Sequence, residues 1–281
     1  MVSTSQAPFT LRDGENLAVY DWPLHPAQRP RAVVLIVHGL GEHAWRYDHV
    51  ARRLNAWGFQ VRAYDQRGHG ESGGARGVLP TDHALLADLA EVVDDTRENL
   101  CNPWACPMVL LGHSMGGLVA ARFVAERLRP VEGLVLSSPA LDPGLSGWQK
   151  ALIAVLYRLA PNLAVGNGLD ATRLSHDPAV APAYLADPRN HDRISARLAR
   201  FIERESAFTV AAAPRWTLPT LLMYAGADAL VHPRGSRQFA AAAPSQVVHS
   251  RCFEGLFHEL FNERDADPVF ETLEHWLDQG F

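Results

Sequence analysis

Lysine is nearly absent from this chain of 281 residues: Lys150 is the only one, and arginine supplies the rest of the 26 basic side chains. The 31 acidic side chains outnumber them, leaving a formal net charge of -5 and a pI near 6.2. No basic tract is present to hold a phosphate backbone, which argues against a nucleic-acid partner. Cysteine is equally scarce. Cys101, Cys106 and Cys252 are an odd count in a long chain, so they read as free thiols of a reducing compartment rather than a disulfide framework. Their spacing matches no zinc-ligand pattern, and no metal centre is expected. Apolar runs are short, and none reaches the roughly 18 uninterrupted residues that a membrane-spanning helix needs. Residues 1–9 carry neither the basic start nor the apolar stretch of a secretory leader, so the expected location is the cytoplasm. What remains, 47% hydrophobic and 20% charged residues, is the profile of a soluble globular protein. Its length fits one α/β unit carrying an insertion.

Short β-branched runs alternate with helical patterns. Residues 9–22 read as a hairpin turning at Asp13-Gly14. Residues 32–37, 59–64, 108–111, 131–137, 220–224 and 247–253 read as strands, the first of them buried on both faces. Helical patterns fall between them, at 45–57, at 85–96 and after residue 114. A last helix is predicted with Asp267 as its N-cap, Pro268 at its first position and Gly280 at its end. Such alternation implies an α/β protein, a mostly parallel sheet flanked by helices. One stretch breaks it. Residues 140–217 show helical patches with many Pro and Gly and no convincing strand. They read as a helical cap inserted into a core formed by residues 1–139 and 218–281, over the sheet edge where ligands bind.

The most informative motif is Gly112-His113-Ser114-Met115-Gly116-Gly117, a G-x-S-x-G frame between a buried strand and a helix. The letters alone occur by chance in about one chain in ten of this length. Their context is stronger: a sharp strand-to-helix turn needs small residues two before and two after the serine, and it lifts the hydroxyl clear of the sheet. A serine hydroxyl needs a base, and the base needs a carboxylate to fix its tautomer. Asp228 and His258 each follow a predicted strand in the order Ser, acid, His that belongs to this turn. Asp142 and Asp170 are rival acids, but they lie in or near the insertion. His258 is one of 13 histidines and is selected by position. An oxyanion hole needs two N–H donors. Met115 offers one, and Leu40 in the loop His38-Gly39-Leu40-Gly41-Glu42-His43 is the choice for the other.

With Arg46-Tyr47, Asp65-Gln66-Arg67-Gly68-His69-Gly70-Glu71-Ser72, Ala225-Gly226-Ala227-Asp228 and Glu254-Gly255-Leu256-Phe257-His258-Glu259-Leu260, these motifs resemble the α/β-hydrolase superfamily over nearly the whole chain. Within it the chain is most similar to the monoacylglycerol lipase and lysophospholipase-like branch. The resemblance implies hydrolysis of a small lipid ester through an acyl-enzyme, with no cofactor, beneath a cap that forms an acyl tunnel and touches a membrane surface. It also puts Glu42 and Arg46 near the glycerol end of the site. The residues themselves leave a second reading open, an ion pair at a helix start. Leu40 departs from the small residue common at its place, which narrows the pocket mouth. Residues 145–160 fit a lid helix, with Trp148, Leu152, Val155, Leu156 and Leu159 on one side; an ordinary core helix is the alternative. General carboxylesterase or lysophospholipase activity, cofactor-free haloperoxidase or lyase chemistry on the same triad, and a non-catalytic binding protein are the competing functions.

Overall fold

The computed structural model describes residues 5–281. Its strands are β1 (Ser5–Thr10), β2 (Asn16–Trp22), β3 (Val33–Val37), β4 (Gln60–Tyr64), β5 (Met108–His113), β6 (Gly133–Ser137), β7 (Ala164–Gly166), β8 (Arg193–Ser195), β9 (Thr220–Ala225) and β10 (Val248–Phe253). Eight of them form one sheet in the order β1-β2-β4-β3-β5-β6-β9-β10. The β1–β2 and β2–β4 pairs are antiparallel and the rest are parallel.

Strand β3 shows why the sheet is covered on both sides. It reads Val-Val-Leu-Ile-Val and every residue is buried. Side chains alternate across a strand, so Val33, Leu35 and Val37 enter one apolar layer while Val34 and Ile36 enter the other. Helix α1 (Asp48–Ala56) and the C-terminal helix (Asp267–Gly280) close the second layer through Leu54, Leu273 and Leu277. Helices α2 (Ala84–Thr96) and α3 (Ser114–Ala125) close the first through Leu89, Leu118 and Phe123. Cutting a fully buried leucine such as Leu35 or Leu89 back to alanine costs about 2–5 kcal/mol.

Between β6 and β9 the chain leaves the sheet to form α4 (Gly147–Leu159), α5 (Val180–Ala186) and α6 (Ala196–Ala212). The expectation of no strand in this stretch needs correction: β7 and β8 pair antiparallel as a separate two-stranded sheet. Each is three residues long, too short for alternation to register in the sequence. Ser195 then caps α6 through its hydroxyl, which accepts the Leu198 N–H at 3.2 Å. Leu198, Phe201 and Ile202 of α6 join the same buried layer as α3. Helix α4 differs. It starts with a reciprocal Ser146–Gln149 capping box and buries no residue. Its stripe Trp148, Leu152, Val155 and Leu159 is exposed by 68, 48, 51 and 79%, so it is not a core helix.

A smaller correction falls at the last helix. Asp267 is the first helical residue rather than the N-cap, and Ala266 holds the cap position without a side-chain bond. The Asp267 carboxylate accepts instead from Arg53 at 2.6 Å. No helix among the described residues is long and apolar enough to cross a membrane.

Candidate active site

Parallel registry aligns the carboxyl ends of the central strands. Val37 pairs with Gly112, His113 with Ser137, and Ala225 with Phe253. The loops that follow carry His38 to His43, Ser114, Asp228 and His258 to one edge of the sheet.

Ser114 sits at the junction of β5 and α3 with φ of 51°, in the left-handed region that non-glycine residues rarely adopt. The flanking glycines make this turn possible. A Cβ on Gly112 would lie 2.6 Å from the Gly116 carbonyl oxygen, and one on Gly116 would lie 2.1 Å from that of Val37. Backbone atoms at those distances cannot yield, so the spacing is a steric requirement. As the second residue of α3, Met115 has a backbone N–H with no acceptor inside the helix.

The structure brings Asp228, and neither Asp142 nor Asp170, to His258. Asp228 Oδ2 is 2.6 Å from His258 Nδ1, while Oδ1 accepts the N–H groups of Leu230 and Val231 at 2.9 Å each. Asp142 instead accepts from Arg234, and Asp170 caps its own short turn through Thr172. Burial pushes the Asp228 carboxyl up. Its contact with His258 and the two backbone donors outweigh that and hold it below the usual range. Burial opposes charging of His258, but Asp228, with Glu259 and Glu42 nearby, holds the ring above its ordinary value. The His113 ring lies beside it, tilted by 54° with ring centroids 4.8 Å apart. Burial and the neighbouring His258 push His113 down to about 4, and its Nδ1 lies 3.2 Å from the Ser137 hydroxyl.

The loop after β3 is fixed from three directions. His38 Nε2 accepts the Gln66 N–H at 2.8 Å, so the ring hydrogen is on Nδ1, 2.8 Å from the Gly39 carbonyl. Glu42 Oε1 accepts from the Gly39 N–H at 2.5 Å and from the Tyr47 hydroxyl at 2.8 Å. From the far side, the Gly41 carbonyl accepts the His191 N–H and the Tyr184 hydroxyl, both at 2.9 Å. A Cβ on Gly41 would come within 2.3 Å of the His191 carbonyl oxygen, which leaves glycine as the residue that fits.

Glu42 and Arg46, expected near the glycerol end of the site, are joined in an ion-pair network that also includes Glu259. Arg46 Nη1 donates to Glu42 Oε2 at 2.6 Å and to Glu259 Oε1 at 2.5 Å, and Nη2 donates to Glu259 Oε2 at 2.8 Å. Glu42 forms part of the cavity wall, but both of its oxygens are occupied. Burial pushes the Glu42 carboxyl up, and Arg46 chiefly overcomes this and draws it down to about 2. The i,i+4 pair read from the sequence is therefore real, and it is buried. Its third member, Glu259, was not expected. An acidic residue directly after the candidate base was the available signal.

Two cavities meet at Ser114 and His258, and both are also lined by Leu40, Asn167, Leu169 and Leu230. One, of about 230 Å³, has Asp170, Thr172, Tyr184 and Asp192 in its wall. The other, of about 160 Å³, is lined by Met115, Leu145, Ile153, Ile194, Ile202 and Val231.

A serine on a strained elbow, a histidine bonded to a buried aspartate, and a mostly parallel sheet that carries all three define a serine hydrolase of the α/β-hydrolase fold. Comparison with known proteins makes the family specific. The family model described as Hydrolase_4, serine aminopeptidase S33, matches residues 28–265, and the chain belongs to that family. The monoacylglycerol lipase of Mycolicibacterium smegmatis is 38% identical over 92% of this chain and 92% of its own. The monoglyceride lipase of Homo sapiens is 33% identical over 95% of this chain and 88% of its own. Among solved structures, the monoacylglycerol lipase of Paleococcus ferrophilus superposes with a TM-score of 0.81 at 31% identity, covering 99% of this chain and 100% of that one.

Proposed function

We propose that this carboxylic-ester hydrolase acts on monoacylglycerols. The observation that carries the reading is the meeting of two mainly apolar cavities at Ser114, of which one alone has Asp170, Thr172, Tyr184 and Asp192 in its wall. An ester with one acyl chain and one polyol fits that difference: the chain enters the cavity without these polar side chains and the glycerol the one that has them. The names of the relatives support the same reading.

In this mechanism Ser114 Oγ attacks the ester carbonyl and His258 Nε2 takes its proton. Asp228 holds the ring with Nδ1 protonated and stabilises the imidazolium. The N–H groups of Leu40 and Met115 receive the charge that develops on the carbonyl oxygen, where fixed donors act most strongly. As the tetrahedral centre collapses, His258 returns the proton to the departing glycerol oxygen. Water, deprotonated by the same ring, then releases the fatty acid. Residues 140–217 act as a cap, and the exposed apolar stripe of α4 rests on a lipid surface from which substrate is drawn. That stripe, Trp148, Leu152, Val155 and Leu159, repeats at helical spacing.

The test is hydrolysis of a 1-monoacylglycerol series of increasing chain length, beside a diacylglycerol and a lysophospholipid, with Ser114→Ala as blank. Preference for monoacylglycerols is expected. Turnover limited to short soluble esters would reduce the function to that of a general esterase.

A further inference from the structure

We infer that Glu259 is a positioning residue that braces the oxyanion loop against the loop of the catalytic base. The inference rests on the ester-hydrolase reading above. The candidate donor Leu40 follows β3 and the base His258 follows β10, and in the sheet β5, β6 and β9 separate these two strands. Sheet hydrogen bonds therefore do not set the distance between donor and base directly. A chain of short contacts does. Glu259 is covalently next to His258, and its carboxylate grips Arg46 through both oxygens. Arg46 holds Glu42, and Glu42 accepts the N–H of Gly39, the residue before Leu40. Asn262 completes the grip by donating to Glu259 Oε2 at 2.8 Å.

The environment makes this brace stiff. Glu42 and Glu259 are 3% and 5% exposed. A bidentate guanidinium–carboxylate pair fixes direction as well as distance. Two buried carboxylates on one guanidinium also leave a net negative charge beside the active site, an arrangement that packing alone does not favour. That charge faces His258. The other titratable groups around the ring are Asp228 from the β9 loop, His113 from the end of β5, and Glu42 and Arg46 from the segment after β3. One residue thus serves two ends. It keeps the Leu40 N–H in register with the developing oxyanion, and it favours the imidazolium that forms when His258 takes the serine proton.

Glu259→Gln keeps the shape while removing the charge and one arm of the grip. Because an oxyanion donor acts in the transition state rather than on bound substrate, kcat for a soluble ester should fall by ~10- to 100-fold, with KM within about threefold. The acid limb of kcat/KM should move to lower pH, since a lost anion makes His258 easier to deprotonate. Glu259→Asp keeps the charge but shortens the reach, so it should lower kcat while leaving the acid limb in place. Glu42→Gln combined with Glu259→Gln should be no slower than the slower single variant, because both break one brace. Unchanged kcat in Glu259→Gln, an unmoved acid limb, or fully multiplicative losses in the double variant would each overturn the inference. The rate at which a fluorophosphonate labels Ser114 reads the same brace without any choice of substrate. If the wild-type protein labels readily but cleaves no ester, the ester reading fails, and the labelling rates of the variants still decide on Glu259. If Glu259→Gln does not fold, Glu42→Gln is measured in its place, with the same fall in kcat expected and an unchanged kcat refuting the brace.

Discussion

The sharpest consequence of the site geometry concerns Asp228→Asn. Oδ1 of Asp228 accepts two backbone N–H groups at 2.9 Å, while Oδ2 lies 2.6 Å from His258 Nδ1. An asparagine in this place cannot choose its orientation. Its NH2 group cannot face two N–H donors, so the amide oxygen must take the Oδ1 position. The NH2 group then points at Nδ1 and donates to it. Nδ1 becomes an acceptor, the ring hydrogen moves to Nε2, and the nitrogen that should take the serine proton already carries one. A wrong tautomer in an otherwise intact triad lowers kcat by ~10⁴, equivalent to about 5.5 kcal/mol in the barrier. The packing should survive, because the substitution is isosteric and the two backbone donors stay satisfied. The assay is steady-state turnover of a monoacylglycerol by wild-type and variant protein, with a melting curve for each. A loss smaller than about 100-fold in a variant that melts normally would refute the reasoning and require another acid behind His258.

Two further outcomes follow from burial and exposure. Trp148 and Leu159 on α4 are 68% and 79% exposed. With full burial of such a side chain contributing ~1.5–3 kcal/mol, replacing both by serine should weaken vesicle partitioning by about 3 kcal/mol, roughly 100-fold. Turnover of a soluble short ester should not change, and equal co-sedimentation of variant and wild type would remove the lipid-surface role of α4. Acid stability depends on His113 and His191, each held at about 4 chiefly by burial. The unfolded chain takes up these protons near pH 6.5 and the native state only near 4, so stability falls as pH drops through that window. His258, held above its ordinary value, acts in the opposite sense and offsets part of the loss. The melting temperature should therefore decline from pH 6.5 to 5, less steeply in His191→Gln; a flat or rising profile in the wild type would contradict the assignment.

Much of this architecture was legible in the sequence because its causes are local. Strands β3, β5, β6 and β9 are buried on both faces, and each carries a run of three or more apolar residues. The turn at Ser114 declares itself through glycines that sterics demand. Asp228 and His258 could be chosen from many acids and histidines because topology leaves them just past strand ends. What escaped the sequence depends on contacts between distant segments. Three-residue strands such as β7 and β8 have no period to detect. Arg46 and Glu42 are four apart and advertise a pair, but Glu259 lies 213 positions from Arg46, and no local pattern links them. The grip of Tyr184 and His191 on the Gly41 carbonyl is hidden for the same reason. Asp267 lies one position inside the helix, its carboxylate bonded to Arg53 of another helix, a partner no local pattern reveals.

The lone lysine lies on α4, exposed, two residues after Trp148. An amine-reactive dye therefore has one side-chain target on the whole chain, besides the terminal α-amine. The native protein thus accepts a fluorophore on the helix proposed above to rest on lipid, without any engineered cysteine. Polarity-sensitive emission from Lys150 would follow that contact in real time, while Ser114, in another layer of the molecule, remains free to turn over.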